Sequence, residues 1–258
     1  MLAGWTRAIL LQVAHPLIAA GVVRHSSFRD NPVSSARRLH HTVRAMLGLT
    51  FGDAATHARV IEEIRAIHRR VRGQLREAVG VFPAGAFYSA EDPALVLWVH
   101  GTLLESVLLA YDALVEPVGV GDRDAYCREA SSVAIELGAR TTDVPLDWAA
   151  LERYLFDVRQ SGAIVVGPDA RAVSTLLLRG RFSALMGPVA WANRMLTAGW
   201  LPSDLRDQYG FEWSDAHDRQ FGRVVAMVRR TRRMLPDAVA LWPEARKPSE
   251  ARGSGLEA

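Results

Sequence analysis

Residues 36–73, ARRLHHTVRAMLGLTFGDAATHARVIEEIRAIHRRVRG, hold four of the eight histidines in the 258-residue chain. In the second half, Val60, Ile64, Ile67 and Val71 recur at intervals of three and four, the spacing that aligns side chains along one side of an α-helix. His68 falls four after Ile64 and three before Val71, so the same periodicity carries an imidazole into the apolar stripe. In the first half, Arg38 and Thr42 stand four apart, which on a helix points their side chains within about 40° of each other. Between the halves, Gly48 to Asp53 ends one helix and offers Asp53 as the N-cap of the next. The stretch thus predicts two consecutive helices with a short connection, a pair that can pack as an antiparallel hairpin and present facing side chains to a cofactor between them.

An inward histidine has two readings. It is a core imidazole hydrogen-bonded to a backbone carbonyl, or it is a ligand to a metal or haem iron, for which one proximal histidine is enough. Spacing alone does not choose between them.

Outward from this segment the helical pattern continues in both directions. Residues 9–23, ILLQVAHPLIAAGVV, form an apolar run interrupted by Gln12, His15 and Pro16, too short to span a bilayer and predicted to be a Pro-kinked pair of buried helices. The same polar interruptions count against a signal peptide, and with a single cysteine, Cys127, the expected compartment is the cytoplasm. Asp92-Pro93 is a cap followed by a first-turn proline, and the residues from Ala94 to Ala113 are apolar almost all round, as in a buried helix. His100 and Glu105 are its polar exceptions. Glu105 needs a partner, and His100 is expected to form a pocket wall. Further helices are predicted over residues 122–138, 147–160, 168–178 and 182–200, the last broken near Gly187-Pro188, and a final arginine-rich helix begins near Asp215. Ser161 to Asp169 is rich in β-branched residues but has no strand to pair with, so it is expected to be a loop. No strand set, internal repeat or Gly-rich phosphate loop emerges. The predicted fold is all-α, a single domain of about ten helices over residues 1–247, with a polar tail at 248–258 whose composition predicts disorder.

The combination Arg38-x3-Thr42, Thr50-Phe51-Gly52-Asp53 and His68-x2-Val71-x-Gly73 resembles the haem-dependent oxygenase family that includes the rubber oxygenase latex clearing protein and the membrane-bound oxygenase of mycophenolic acid biosynthesis. Gln12, His15, Pro16, Gly21, His25, Ser26 and Phe28 fit the start of the family's domain, and Leu201-Pro202 through Trp213 fits its later part, so the likeness spans about residues 6–235. The resemblance implies haem b with its iron held by His68 as proximal ligand, and it places Arg38 and Thr42 on the distal side near dioxygen. The rubber oxygenase has an iron-ligating lysine immediately before that threonine, whereas this chain has His41. Successive helix residues diverge by about 100°, so if Thr42 faces the iron, His41 lines the pocket edge or meets a haem propionate. As a proximal ligand His68 is expected to donate from its second nitrogen to a carbonyl or carboxylate.

Other chemistries lack their signatures. None of the eight histidines has Glu three residues before it, which disfavours a di-iron bundle site, and neither His-Glu-x2-His nor Gly-x-Ser-x-Gly occurs. A net charge of +3 is too small to imply nucleic acid, and membrane association is left open but not predicted; the arginine clusters 69–72 and 229–233 read as solvated faces or anion contacts. The expected activity is oxidation of a hydrophobic small molecule with dioxygen or peroxide. A haem-binding sensor or carrier without turnover, and a cofactor-free helical interaction protein, remain open alternatives.

Overall fold

Proline at position 16 has no N–H to donate, so the helical ladder breaks before it: α1 (Leu2–Val13) and α2 (Pro16–His25) meet at a bend of 108°. The computed structural model describes residues 2–25, 43–179 and 187–236. The break is covered by the 161–167 loop, where the Val165 N–H donates to the Ala14 carbonyl at 2.9 Å. That segment is a loop, as its lack of a pairing strand requires.

Residues 43–51 are helical (α3), and Asp53 caps α4 (Ala54–His68) by accepting from the Thr56 N–H at 2.8 Å. Asp92 caps α5 (Pro93–Leu114) through the Ala94 N–H. α6 (Val120–Glu136) leads to Gly138, whose φ of +111° lets the chain turn away, and Asp147 caps α7 (Trp148–Gln160). The remaining described helices are α8 (Pro168–Arg179), α9 (Gly187–Trp200), the short α10 (Ser203–Gln208) and α11 (Asp215–Met234). The architecture is all-α in one domain, with one exception that the sequence did not predict. β1 (Arg72–Gln74) and β2 (Phe87–Ser89) form a two-stranded antiparallel sheet with Gly73 opposite Tyr88. Three-residue strands, one of them Arg-Gly-Gln, are too short and too polar to leave an alternating pattern.

α1 lies against α5 at the centre. Leu10, Leu11 and Val13 are buried there with Trp98, and each such aliphatic side chain contributes roughly 1.5–3 kcal/mol by leaving water. Two polar atoms of aromatic side chains in this core are satisfied by α1 carbonyls: Trp98 Nε1 donates to that of Leu11 at 3.2 Å and the Tyr209 hydroxyl to that of Leu10 at 2.6 Å. Arg7, 3% exposed, donates to Glu105 Oε2 (2.7 Å), Ser106 Oγ (2.6 Å) and the Trp200 carbonyl (2.8 Å), and so ties α1, α5 and α9 together. This is the partner Glu105 required. By length and composition α5, with 22 residues, could cross a membrane, but 56% of its most apolar window is buried inside the protein. The packing therefore treats it as a core helix.

Candidate active site

The end of α4 is fixed by the β-hairpin that comes after it. The Val71 N–H donates to the His68 carbonyl (3.0 Å) and the Ala90 N–H to the Val71 carbonyl (2.9 Å), which joins the helix end to the hairpin. Tyr88 is 2% exposed and lies over Gly73, where an added methyl group would come within 2.7 Å of its hydroxyl. On α2, a methyl at Gly21 would stand 3.2 Å from Val71 Cγ1 and 3.7 Å from the Tyr88 ring. Two glycines therefore make the slot that Tyr88 and Val71 fill. His25 Nε2 lies 3.3 Å from the Tyr88 hydroxyl with its ring edge-on, and the Arg24 guanidinium sits 5.8 Å above the Tyr88 ring. The spacing His68-x2-Val71-x-Gly73 is thus a docking device: a histidine at the helix end, a valine against Gly21 and a glycine that admits Tyr88.

His68 is half-buried as the last residue of α4. Burial lowers its pKa below the usual imidazole value, opposed by the nearby Glu91 carboxylate, so the ring is held neutral with a lone pair to offer. Its Nδ1 is buried and has no hydrogen-bond partner among the described residues. An unsatisfied buried nitrogen of this kind costs about 1–3 kcal/mol. The carbonyl or carboxylate expected to receive a proton from His68 is not among the described partners. The apolar stripe also needs correction: Ile67 is 59% exposed, and the buried positions of α4 are Val60 and Ile61. The stripe turns by one residue because α4 presents Val60 to α3, where a methyl at Gly48 would lie 3.0 Å from Val60 Cγ2.

Arg38, His41 and Thr42 lie outside the described residues. His100 is half-buried on α5, and burial brings its pKa down to about 4. It makes no hydrogen bond or ring contact with His68. Among the described residues no three His, Cys, Asp or Glu side chains converge as a metal site. A lone buried imidazole nitrogen fits a cofactor that brings the rest of its metal's ligands with it, as haem does. Arg69, Arg70 and Arg72 are exposed, as solvated residues would be.

Sequence reasoning missed Tyr88, which carries no charge, stands in no motif and matters through contacts with Gly21, Arg24, His25 and Gly73. His15 is a second buried imidazole. Its Nδ1 accepts from the Leu17 N–H at 3.3 Å, its ring lies 5.1 Å from that of Phe82, and burial lowers its pKa to about 4 against the pull of Asp92. A histidine depressed in the native state stabilises the fold fully above its unfolded pKa near 6.5, and that contribution is lost as pH falls toward 4. Urea unfolding is expected to show a loss of up to about 3 kcal/mol over this window that is absent in His15→Asn. Superimposable pH profiles for parent and variant would refute it.

Beside the hairpin is a cleft of about 510 Å³ between α2, the loop after β1 and the start of α8. Pro16, Ala19, Val23, Leu75 and Val79 give it apolar walls, and Arg24 and Arg76 are among its polar lining. Neither His68 nor His100 lines it.

The fold is a helical domain in which, among the described residues, the buried His68 Nδ1 at the end of α4 has no hydrogen-bond partner. The chain belongs to the family of the ER-bound oxygenase mpaB/B′ and rubber oxygenase catalytic domain, whose model matches residues 1–230. It is accordingly an oxygenase-type enzyme. Similar chains include the uncharacterized protein Rv2237 of Mycobacterium tuberculosis and the uncharacterized protein Mb2261 of Mycobacterium bovis, each 25% identical over 238 residues that cover 88% of this chain and 87% of the relative. No solved structure gives a significant match.

Proposed function

We propose that this enzyme is a haem b-dependent oxygenase of a hydrophobic small molecule, with His68 holding the iron and Arg38 and Thr42 on the oxygen-binding side. The observation that carries this reading is the buried His68 Nδ1, which has no partner among the described residues, in a ring that burial keeps neutral. Membership of an oxygenase family supports it. When bound, haem supplies an iron that activates dioxygen or peroxide. The chain's own residues supply the surroundings. His68 offers its lone pair at neutral pH without first losing a proton. Arg38 would offer N–H donors to negative charge developing on oxygen, and Thr42, four residues on in sequence, a hydroxyl. His41 lines the pocket edge or pairs with a propionate, and His100, kept neutral by burial, forms a wall that excludes water. The proposed location is the cytoplasm, where the buried thiol of Cys127, its pKa pushed up to about 11, stays reduced.

Absorption spectroscopy after haem reconstitution tests the assignment. The parent protein is expected to take up haem stoichiometrically and show a Soret band, and His68→Ala to lose both. Stoichiometric haem with unchanged ligand-field bands in His68→Ala would transfer the role to His15, His25 or His100.

A further inference from the structure

α11 packs Phe221, Val224, Val225 and Val228 against its neighbours and leaves the opposite side uncovered. At 100° per residue, Arg219, Arg223, Met227, Arg230, Arg233 and Met234 fall within an arc of about 120° on that side. All six are exposed, Met227 by 52% and Met234 by 77%. From Arg219 to Pro236 there are six arginines and no acidic residue, while the whole chain is only +3, so the remainder carries a net −3. Even with Asp215 and Asp218 in its first turn, α11 carries six arginines against two aspartates, a net +4 in a chain of net +3.

A solvated helix ordinarily mixes signs, because acid–base pairs four apart stabilise it and like charges at that spacing cost a few tenths of a kcal/mol each. Here Arg219 and Arg223, and Arg229 and Arg233, repel at that spacing, and none of the six arginines is in an ion pair among the described residues. The helix dipole accounts for cations in the last turn, where Arg232 and Arg233 stand, but not for Arg219 and Arg223 in the first half.

We infer that this outward face of α11 docks the enzyme on an anionic membrane surface. Charge complementarity supplies the attraction. The two methionines select a lipid partner over a nucleic acid: flexible apolar side chains interleaved with arginine reach the acyl boundary, whereas the arc holds no aromatic ring to stack on bases. The inference does not depend on the cofactor assigned to the enzyme.

Vesicle flotation with the full chain tests it. The protein is expected to float with phosphatidylcholine vesicles containing phosphatidylglycerol and not with phosphatidylcholine alone, and to be released by salt. Each arginine near such a surface is worth roughly fivefold in partitioning, so R223E/R230E is expected to lose at least about 25-fold. M227S/M234S, which leaves the charge unchanged, is expected to lose severalfold; both pairs are exposed, and unchanged circular dichroism would show that the fold is kept. Binding that ignores phosphatidylglycerol, no binding at all, or parental binding by R223E/R230E would overturn the inference. So would parental vesicle binding by M227S/M234S together with equal affinity for a DNA duplex, which would mark the face as a general polyanion site.

Discussion

Arg7→Ala is expected to destabilise the protein by about 3 kcal/mol, the largest loss foreseen for any single side chain outside the hydrophobic core. The guanidinium is 3% exposed and its three acceptors come from two other helices, so alanine would leave Glu105, Ser106 and the Trp200 carbonyl without their donor where water enters poorly. The Glu105 side chain is 25% exposed and regains part of its solvation, which keeps the expected loss at the lower end for a broken buried pair. The double variant Arg7→Met, Glu105→Leu removes both charges and is expected to recover most of the loss. Urea midpoints at constant slope measure this; an Arg7→Ala midpoint within about 0.5 kcal/mol of the parent would mean that the network adds nothing to stability.

Arg38→Ala is expected to keep its haem and lose a factor on the order of 10²–10³ in turnover, the effect of removing one fixed donor from developing negative charge. Arg38→Lys is expected to fall between the two, since an ammonium keeps the charge but not the planar fork. Haem content from the Soret band and turnover per haem separate the possibilities. Full haem with undiminished turnover would remove Arg38 from the chemistry, while loss of haem itself would move it to the propionates.

Helix positions were legible in the sequence because their causes are local. Asp53, Asp92 and Asp147 each cap the helix that their position announces, Pro16 breaks the first apolar run, and the all-round apolar character of residues 94–113 makes α5 the central helix. A cap, a missing N–H and a 3.6-residue period act within a few residues, and residue order records them. His68 stood out as a candidate through the family's motif and through an apolar stripe that the packing of α4 corrects.

What lay beyond the sequence depended on partners brought from a distance. Arg7 meets Glu105 across 98 positions, and Tyr88 meets His25 across 63. In the two-stranded sheet Gly73 stands opposite Tyr88, which with Val71 fills the slot left by Gly73 and Gly21. On α4 Ile61 is buried and Ile67 exposed, although both stand at helical spacing from Ile64. Periodicity therefore determined that the protein is helical and which histidine to consider. Only the packing of separate elements decided that this histidine's Nδ1 is buried with no partner among the described residues, because burial and satisfaction are properties of what surrounds an atom and not of its place in the chain.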